Sequence, residues 1–428
     1  MKLKWVLCVV TMCVVLLCAG ATVAEAVEDL AVVATLEIDA TFQEWSGLKD
    51  GRVHDGYLYL TTSQSGVDQG NAVLVVDIRN PMEPSVIAQI DGYYHYDVMA
   101  FLDHYLLLAQ KQPTMVTGPE GLRVVDISNP AAPVLVGSYD TPSFPQGLVL
   151  HGGYAYLLTN SSGLYILNLS DPTNPQEVAW FSISGVSQAL VSPEGGDAVL
   201  YVDTHNFYLG TISLSAVSLA NPVEPLLLGS TTAYFVGDMC PVGDTLVIVD
   251  DNDTEADGRL VLFDGADPLT ELGTYDLTYS GYLRLRAGVG DRHVYMSQTS
   301  AGDFQVLDVS TPSAPVQVAH CDTGLAGGNP IASTPTHIYM TGYNAESYLP
   351  TLIVAEALQV FDDVTWDNWA AAPIAACVKA AIVGGYPDGV YLPDAPVTRD
   401  QMAVFVARAL AGGDELVPAP ASTPTFLD

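Results

Sequence analysis

Positive charge is what this chain has least of. Its 428 residues carry 14 Lys and Arg against 49 Asp and Glu, a formal net charge of −35. Nucleic acid and anionic lipid surfaces are therefore poor partners, since a polyanion would be repelled rather than held. Cysteine is scarce too. Of six, Cys8, Cys13 and Cys18 fall at the extreme N-terminus, leaving Cys240, Cys321 and Cys377 far apart. An odd, scattered set builds no disulfide framework and has no metal-ligand spacing, so these three read as small buried apolar residues. Beyond the N-terminus no apolar run reaches the roughly 18 residues of a membrane-crossing helix. Helical periodicity is missing until about residue 369. The eight histidines lie singly, with no i, i+2 or i, i+4 pair. No Ser-His-Asp order, Gly-rich phosphate loop or paired-carboxylate motif stands in the sequence, which argues against an enzyme.

What is present begins with a secretory leader over residues 1–26. Lys2 and Lys4 give a charged start, Trp5 to Leu17 an apolar core, and Ala24-Glu25-Ala26 a small-x-small cleavage site. Leu17 ahead of Cys18 is too large for a lipoprotein site. The expectation is an exported, soluble chain without a transmembrane helix.

Between Val53 and Gly342 a unit of about 47 residues recurs seven times. Its signature is a strand, an Asp, a short polar turn and Pro-x-x-Pro. Val73-Leu-Val-Val-Asp77 leads to Pro81 and Pro84, Leu122 to Asp126 leads to Pro130 and Pro133, and Phe304 to Asp308 leads to Pro312 and Pro315. Asn168 and Ser218 replace the Asp in two units, and the seventh unit lacks the prolines. Each unit starts with a turn into a strand, as in Asp55-Gly56-Tyr57 and Gly152-Gly153-Tyr154. Such a length holds four short strands, one blade of a propeller. Val32 to Ile38 aligns with an outermost strand, and the last unit lacks one. The expected fold is all-β, a seven-bladed β-propeller over residues 27–360 closed by the N-terminal strand, which would pair two open edges. The recurring Asp, Asn or Ser reads as a short acceptor for local turn amides.

These Asp-Ile/Val-Ser-Asn-Pro-x-x-Pro units resemble the LVIVD-repeat family of bacterial propellers across roughly residues 29–360. The literal Leu246-Val-Ile-Val-Asp250 falls one strand too early for the family motif. The resemblance implies a fold and no particular activity.

From Phe361 the pattern changes. Ile374, Val378 and Ile382 recur at helical spacing, Pro387-Asp388-Gly389 suits a tight turn, and Thr398 with Gln401 forms a capping box ahead of Met402 to Leu410. The motifs Phe361-x-Asp-Val, Trp369-Ala, Gly385-Tyr-Pro-Asp-Gly389 and Thr398-Arg-x-Gln401 resemble one S-layer homology module, a small α-helical unit over residues 361–412. Such modules dock exported proteins on cell-wall polysaccharide, often pyruvylated. The resemblance implies that Arg399 contacts the acidic sugar, a task suited to a planar fork of donors. Trp366 and Tyr386 would stack on sugar faces, with Asp388 and Gly389 shaping the turn beside them. Residues 413–428 read as a linker, and Phe426-Leu-Asp428 as the start of a truncated second module.

Two further candidates lie on the propeller. Asp253, Glu255, Asp257 and Asp264, with Gly258, have the spacing of a Ca2+ loop. Half of that match is supplied by the blade's own strand and Asp264, so an acidic hairpin tip accounts for the same residues. No other cofactor is implied. The connections from each outer strand to the next inner strand are rich in aromatics: Trp45, Tyr93, Tyr94, His95, Tyr96, Tyr234, Tyr279 and Tyr282. They are candidates for binding an unknown glycan or protein ligand, or for packing around the channel. Three functions therefore compete: a wall-anchored binding or scaffold protein, a wall-anchored polysaccharide hydrolase or lyase, and a structural surface-layer component. The first accounts best for a leader and an anchoring module without catalytic motifs.

Overall fold

In a computed structural model, the described residues are 28–38, 45–64, 72–92, 94–110, 120–159, 161–182, 186–191, 198–206, 211–231, 236–250, 258–265, 270–277, 284–288, 292–297, 303–324, 326–334, 336–344, 346–347, 349–357, 361, 364, 374, 377, 382–383, 391–393 and 395–411. Residues 1–26, where a leader is expected, lie outside them. Two short strands come first, β1 (Glu28–Asp29) and β2 (Val32–Glu37). The first sheet is β3 (Trp45–His54), β4 (Tyr57–Gln64), β5 (Val73–Asp77) and β6 (Ser85–Ile90). The second is β7 (Tyr94–Leu102), β8 (Tyr105–Gln110), β9 (Glu120–Asp126) and β10 (Val134–Thr141). The third is β11 (Pro145–His151), β12 (Tyr154–Thr159), β13 (Gly163–Asn168) and β14 (Gln176–Phe181). The fourth is β15 (Val186–Val191), β16 (Val199–Asn206), β17 (Thr211–Ser218) and β18 (Leu226–Thr231). The fifth is β19 (Val236–Val242), β20 (Thr245–Asp250), β21 (Arg259–Asp264) and β22 (Glu271–Asp276). The sixth is β23 (Leu285–Ala287), β24 (His293–Ser297), β25 (Asp303–Asp308) and β26 (Val316–Asp322). The seventh holds β27 (Ala326–Ser333), β28 (His337–Tyr343) and β29 (Pro350–Glu356). A helix, α1 (Arg399–Ala411), follows near the C-terminus.

Within each sheet consecutive strands pair antiparallel, giving the seven blades that the repeat period predicts. The middle strands are apolar almost throughout because both of their faces are covered. In β8, Leu106, Leu107, Leu108 and Ala109 are all fully buried. A core cluster joins each sheet to the next around the ring. One ties Tyr59 and Val75 of the first sheet to Leu106 and Val125 of the second, and another ties Leu58 and Leu74 of the first to Tyr339 and Leu352 of the seventh. Burial of apolar area between sheets is the main cohesive force.

The N-terminal segment touches two blades rather than one. Strand β2 pairs antiparallel with β29, Val32 facing Ala355 and Glu37 facing Thr351, and so takes the fourth place in the seventh sheet. Ahead of it, β1 pairs parallel with β26 as a fifth strand of the sixth sheet. Leu30 lies between the two, its amide donating to the His320 carbonyl at 2.8 Å and its side chain buried among Tyr295, Phe304, Ile353 and Ala355. The double attachment has no repeat signature, since among the described residues the other blades show no equivalent of β1. Elsewhere the outer strands stay open: β18 leaves Leu226 66% and Leu227 59% exposed.

Cys240 and Cys321 are buried as expected, whereas Cys377 is only partly buried. Among the described residues no helix is long and apolar enough to cross a membrane.

Candidate functional site

The repeated signature turns out to build turns. The first acceptor closes the strand end: Asp77 Oδ1 accepts from the Arg79 amide at 3.1 Å, Asp126 Oδ1 from Ser128 at 2.8 Å, and Asp308 Oδ1 from Ser310 at 2.8 Å. Asn168 Oδ1 takes the Ser170 amide at 2.7 Å and Ser218 Oγ the Ala220 amide at 3.2 Å, so both replacements keep the bond without the charge. The residue before the first proline then starts a turn closed from i to i+3, Ala132 donating to the Asn129 carbonyl at 2.9 Å and Glu224 to Asn221 at 3.1 Å. Proline at the second turn position presets the backbone for this geometry. Amide donation holds the Asp126 carboxyl below its ordinary range, and Arg79 does the same for Asp77. These carboxylates are spoken for by local structure.

The same end of the strands carries the Asp-Gly turns. His54 faces Tyr57 across Asp55 (φ 48°) and Gly56 (φ 80°), the left-handed pair that a two-residue hairpin requires. In every blade a carbonyl beside this turn accepts from the residue after the signature acceptor, as in Ile78 to Gly56 at 3.1 Å and Ala357 to Thr336 at 3.1 Å. The two turn types therefore share one face of the ring.

Near the axis the structure assembles a buried ionic cluster from four successive blades. Arg286 on β23 donates through Nη2 to Asp50 on β3, and its Nη1 stands 3.8 Å from Asp238 on β19. Its Nε donates to the Ile331 carbonyl of β27 at 3.0 Å. Arg52 Nη1 adds bonds of 3.1 and 2.9 Å to the two Asp50 oxygens. Asp238 also accepts from the Leu285 and Met239 amides, both at 2.9 Å. Burial alone would raise the Asp50 pKa, but Arg286 and Arg52 outweigh it and hold the carboxyl below its ordinary value. An ionised, fully paired carboxylate cannot act as a proton donor at neutral pH; through Arg286 it links strands of neighbouring blades. Sequence reasoning missed this cluster. Asp50 and Asp238 stand four residues before the ends of β3 and β19, an equivalence visible in the repeat, but Arg286 gives no sign of its partner 236 positions away.

His293 and His337, each at the start of a second strand, are almost fully buried. Burial, followed by the Arg292 charge, pushes His293 down to about 4, and burial lowers His337, so both rings are neutral at physiological pH.

The expected aromatic connections are placed differently. Trp45 opens β3, and Tyr94, His95 and Tyr96 form the start of β7, so these four belong to inner strands rather than to the connections before them. Aromatic residues favour strands, and pairing of Tyr94 with Gln110 carries the sheet past the expected boundary. Tyr93, Tyr234, Tyr279 and Tyr282 lie outside the described residues, as do Asp253, Glu255 and Asp257 of the acidic loop. Asp264 ends β21. Among the described residues no group of three acidic, His or Cys side chains is arranged to hold a metal ion.

In the C-terminal segment the capping box forms as the sequence predicts. The Thr398 amide donates to Gln401 Oε1 at 2.9 Å, and the Gln401 amide to Thr398 Oγ1 at 3.4 Å, at the start of α1. Phe361, Val364 and Ile374 form a small core against Tyr391, with the Phe361 and Tyr391 ring centroids 5.2 Å apart. Ile374 and Cys377 are helical, consistent with the predicted first helix, and Arg408 Nη1 donates to the Ile382 carbonyl at 3.2 Å. Arg399 is the first residue of α1, which puts its backbone at the positive end of the helix dipole. Trp366, Trp369, Tyr386, Asp388 and Gly389 lie outside the described residues.

Comparison with known proteins bears on both regions. The family profile for the S-layer homology domain matches residues 361–403. That for the LVIVD repeat matches residues 52–91, 116–141, 145–182 and 299–323. No curated protein matches the chain. Among solved structures, hydrazine synthase of Kuenenia stuttgartiensis aligns with a TM-score of 0.51 at 12% identity, covering 74% of this chain and 96% of that one. A functionally unknown protein from Desulfotomaculum acetoxidans aligns with a TM-score of 0.46 at 14% identity over 63% of this chain and 85% of its own. At such identity the first likeness speaks for the fold alone.

Proposed function

We propose that this chain is an exported surface protein, held on cell-wall polysaccharide by its S-layer homology domain, with the propeller serving as a binding or scaffold domain rather than an enzyme. The observation that carries this reading is the domain match over residues 361–403, within which Thr398 and Gln401 cap the helix that Arg399 opens. The leader supports export, and the acidic balance suits a surface protein that must not cling to nucleic acid. On the propeller, the conspicuous carboxylates are engaged in turns or in the ionic cluster, which supports binding over catalysis.

Arg399 is the residue assigned to the wall sugar. An Arg contact to an anionic group is worth several-fold to tenfold in affinity or more, and Lys cannot reproduce its paired geometry. The test is cosedimentation of the full chain with purified cell walls. Arg399→Ala should lower the bound fraction by about tenfold and Arg399→Lys by less. Equal binding by all three proteins would contradict the assignment. Ca2+ at the Asp253 to Asp264 loop is a separate proposal, checked by whether chelator shifts the melting temperature.

A further inference from the structure

Five of the second strands place a large, nearly fully buried tyrosine at comparable depth: Tyr59, Tyr156, Tyr201, Tyr295 and Tyr339. At two junctions its hydroxyl reaches across to the next blade's turn. Tyr156 donates to the Pro222 carbonyl at 3.0 Å, and Tyr201 to the Gly265 carbonyl at 3.2 Å. These bonds seal the third blade to the fourth and the fourth to the fifth on the proline-turn face. Between the first and second blades no such bond is made among the described residues. Tyr59 and Pro130 of the next blade's turn both line an opening there.

What replaces the bond is an open cleft of about 510 Å³. Its walls include Tyr57, Tyr59, His54 and His104, with Ile127 and Pro130 of the second blade's turn. Such a volume suits a small molecule or one unit of a chain. The His54 ring is fixed by stacking on Phe101, centroids 4.4 Å apart and planes 7° from parallel. Tyr57 is fixed by the Arg79 guanidinium, 5.1 Å from its ring centroid. The aromatic surfaces are thus held in place before any ligand arrives, which lowers the entropic cost of binding. Asp55, the Tyr59 hydroxyl and Ser128 add hydrogen-bonding groups at the rim and floor.

We propose that this cleft between the first and second blades is a binding site for a neutral sugar residue. Apolar ring faces beside hydroxyl and carboxylate groups match a sugar, whose C–H faces stack while its hydroxyls bond. Charge selects the neutral class. Arg79, the cation beside the cleft, is already bound to Asp77 through Nε at 3.0 Å and Nη2 at 2.5 Å. Asp55 is 87% exposed at the rim, in a chain of net charge −35, so an acidic sugar would meet repulsion. The site lies at the opposite end of the strands from Trp45, Tyr94 and Tyr96. This inference rests on the propeller being a binding domain and is independent of wall anchoring.

The full chain would be titrated calorimetrically with maltotriose, cellotriose and triacetylchitotriose, and with trigalacturonate as the charged counterpart. At least one neutral trisaccharide should bind, with trigalacturonate about tenfold weaker or undetectable. Tyr57→Ala should weaken binding about tenfold or more, and Tyr59→Phe by about three- to tenfold, the loss expected from one neutral hydrogen bond. Tyr59→Phe keeps the buried ring, so its melting temperature should match the parent and separate lost binding from lost folding. Neutral-sugar binding unchanged in both variants would overturn the cleft while leaving the propeller a binding domain. Absence of binding to all three neutral sugars, or preference for trigalacturonate, would overturn the inference; wall cosedimentation in the same preparations reports separately on the anchor.

Discussion

The propeller and the C-terminal segment both announce themselves by motifs, yet the two motifs inform in different ways. In the propeller the residues that recur are turn-builders: Asp126, Asn168 and Ser218 perform one task with three chemistries. Recurrence therefore marks structure, and its value is as a baseline against which departures stand out. Tyr156 and Tyr201 show what the position can do, and Tyr59 stands out against them by facing a cleft instead. The C-terminal segment occurs once in the chain and offers no such baseline. There Thr398 and Gln401 can be assigned by geometry, whereas the sugar contacts are assigned by likeness to a family. A repeat protein carries its own control experiment; a single module does not.

That contrast can be broken at the ring's centre first. Arg286→Ala would strip Asp238 of its cation and leave Asp50 with Arg52 alone, so a loss of about 3–5 kcal/mol is expected in denaturant unfolding. A loss under about 1 kcal/mol would show that the cluster is not what pins the blades. Next, Leu30→Ala removes the buried link between the sixth and seventh blades and should cost about 2–4 kcal/mol; a near-neutral result would make the N-terminal segment an accessory. The buried histidines set a pH signature. His293 has a folded pKa of about 4 against an ordinary 6.5, so the unfolded chain binds the proton first as pH falls. Stability present above pH 6.5 should decline between there and about pH 4, by an order of 2–3 kcal/mol for this residue, and His293→Gln should flatten that part of the profile. The smallest effect tests the turn-builders themselves. Asn168→Ala should cost about 1 kcal/mol and Asn168→Asp much less, because only the acceptor is needed. Equal losses in the two variants would mean that the residue does more than close its turn.

Much of the blade architecture could be read in advance because it is local. Strand, Asp-Gly turn and Pro-x-x-Pro lie within one unit, and Val32 to Glu37 carried the pattern of an outer strand before any pairing was visible. The Thr398–Gln401 cap was legible for the same reason, three residues apart. What could not be read is what only the closed ring brings together. Arg286 meets Asp50 across 236 positions, and β1 adds to the sixth blade through two residues with no motif. The aromatic run at Tyr94 to Tyr96 reads as a connection by its place between an outer strand and the next inner one; pairing of Tyr94 with β8 makes it strand. The His54 and His104 cleft escaped notice because each histidine is solitary in sequence and the two meet between blades.

The most direct test of surface anchoring is to compare the full chain with one ending at residue 360 on purified cell walls, with and without their polysaccharide. The account predicts retention of the full chain on intact walls, release when the polysaccharide is stripped, and no retention of the shortened chain. Equal retention of the two chains would contradict it.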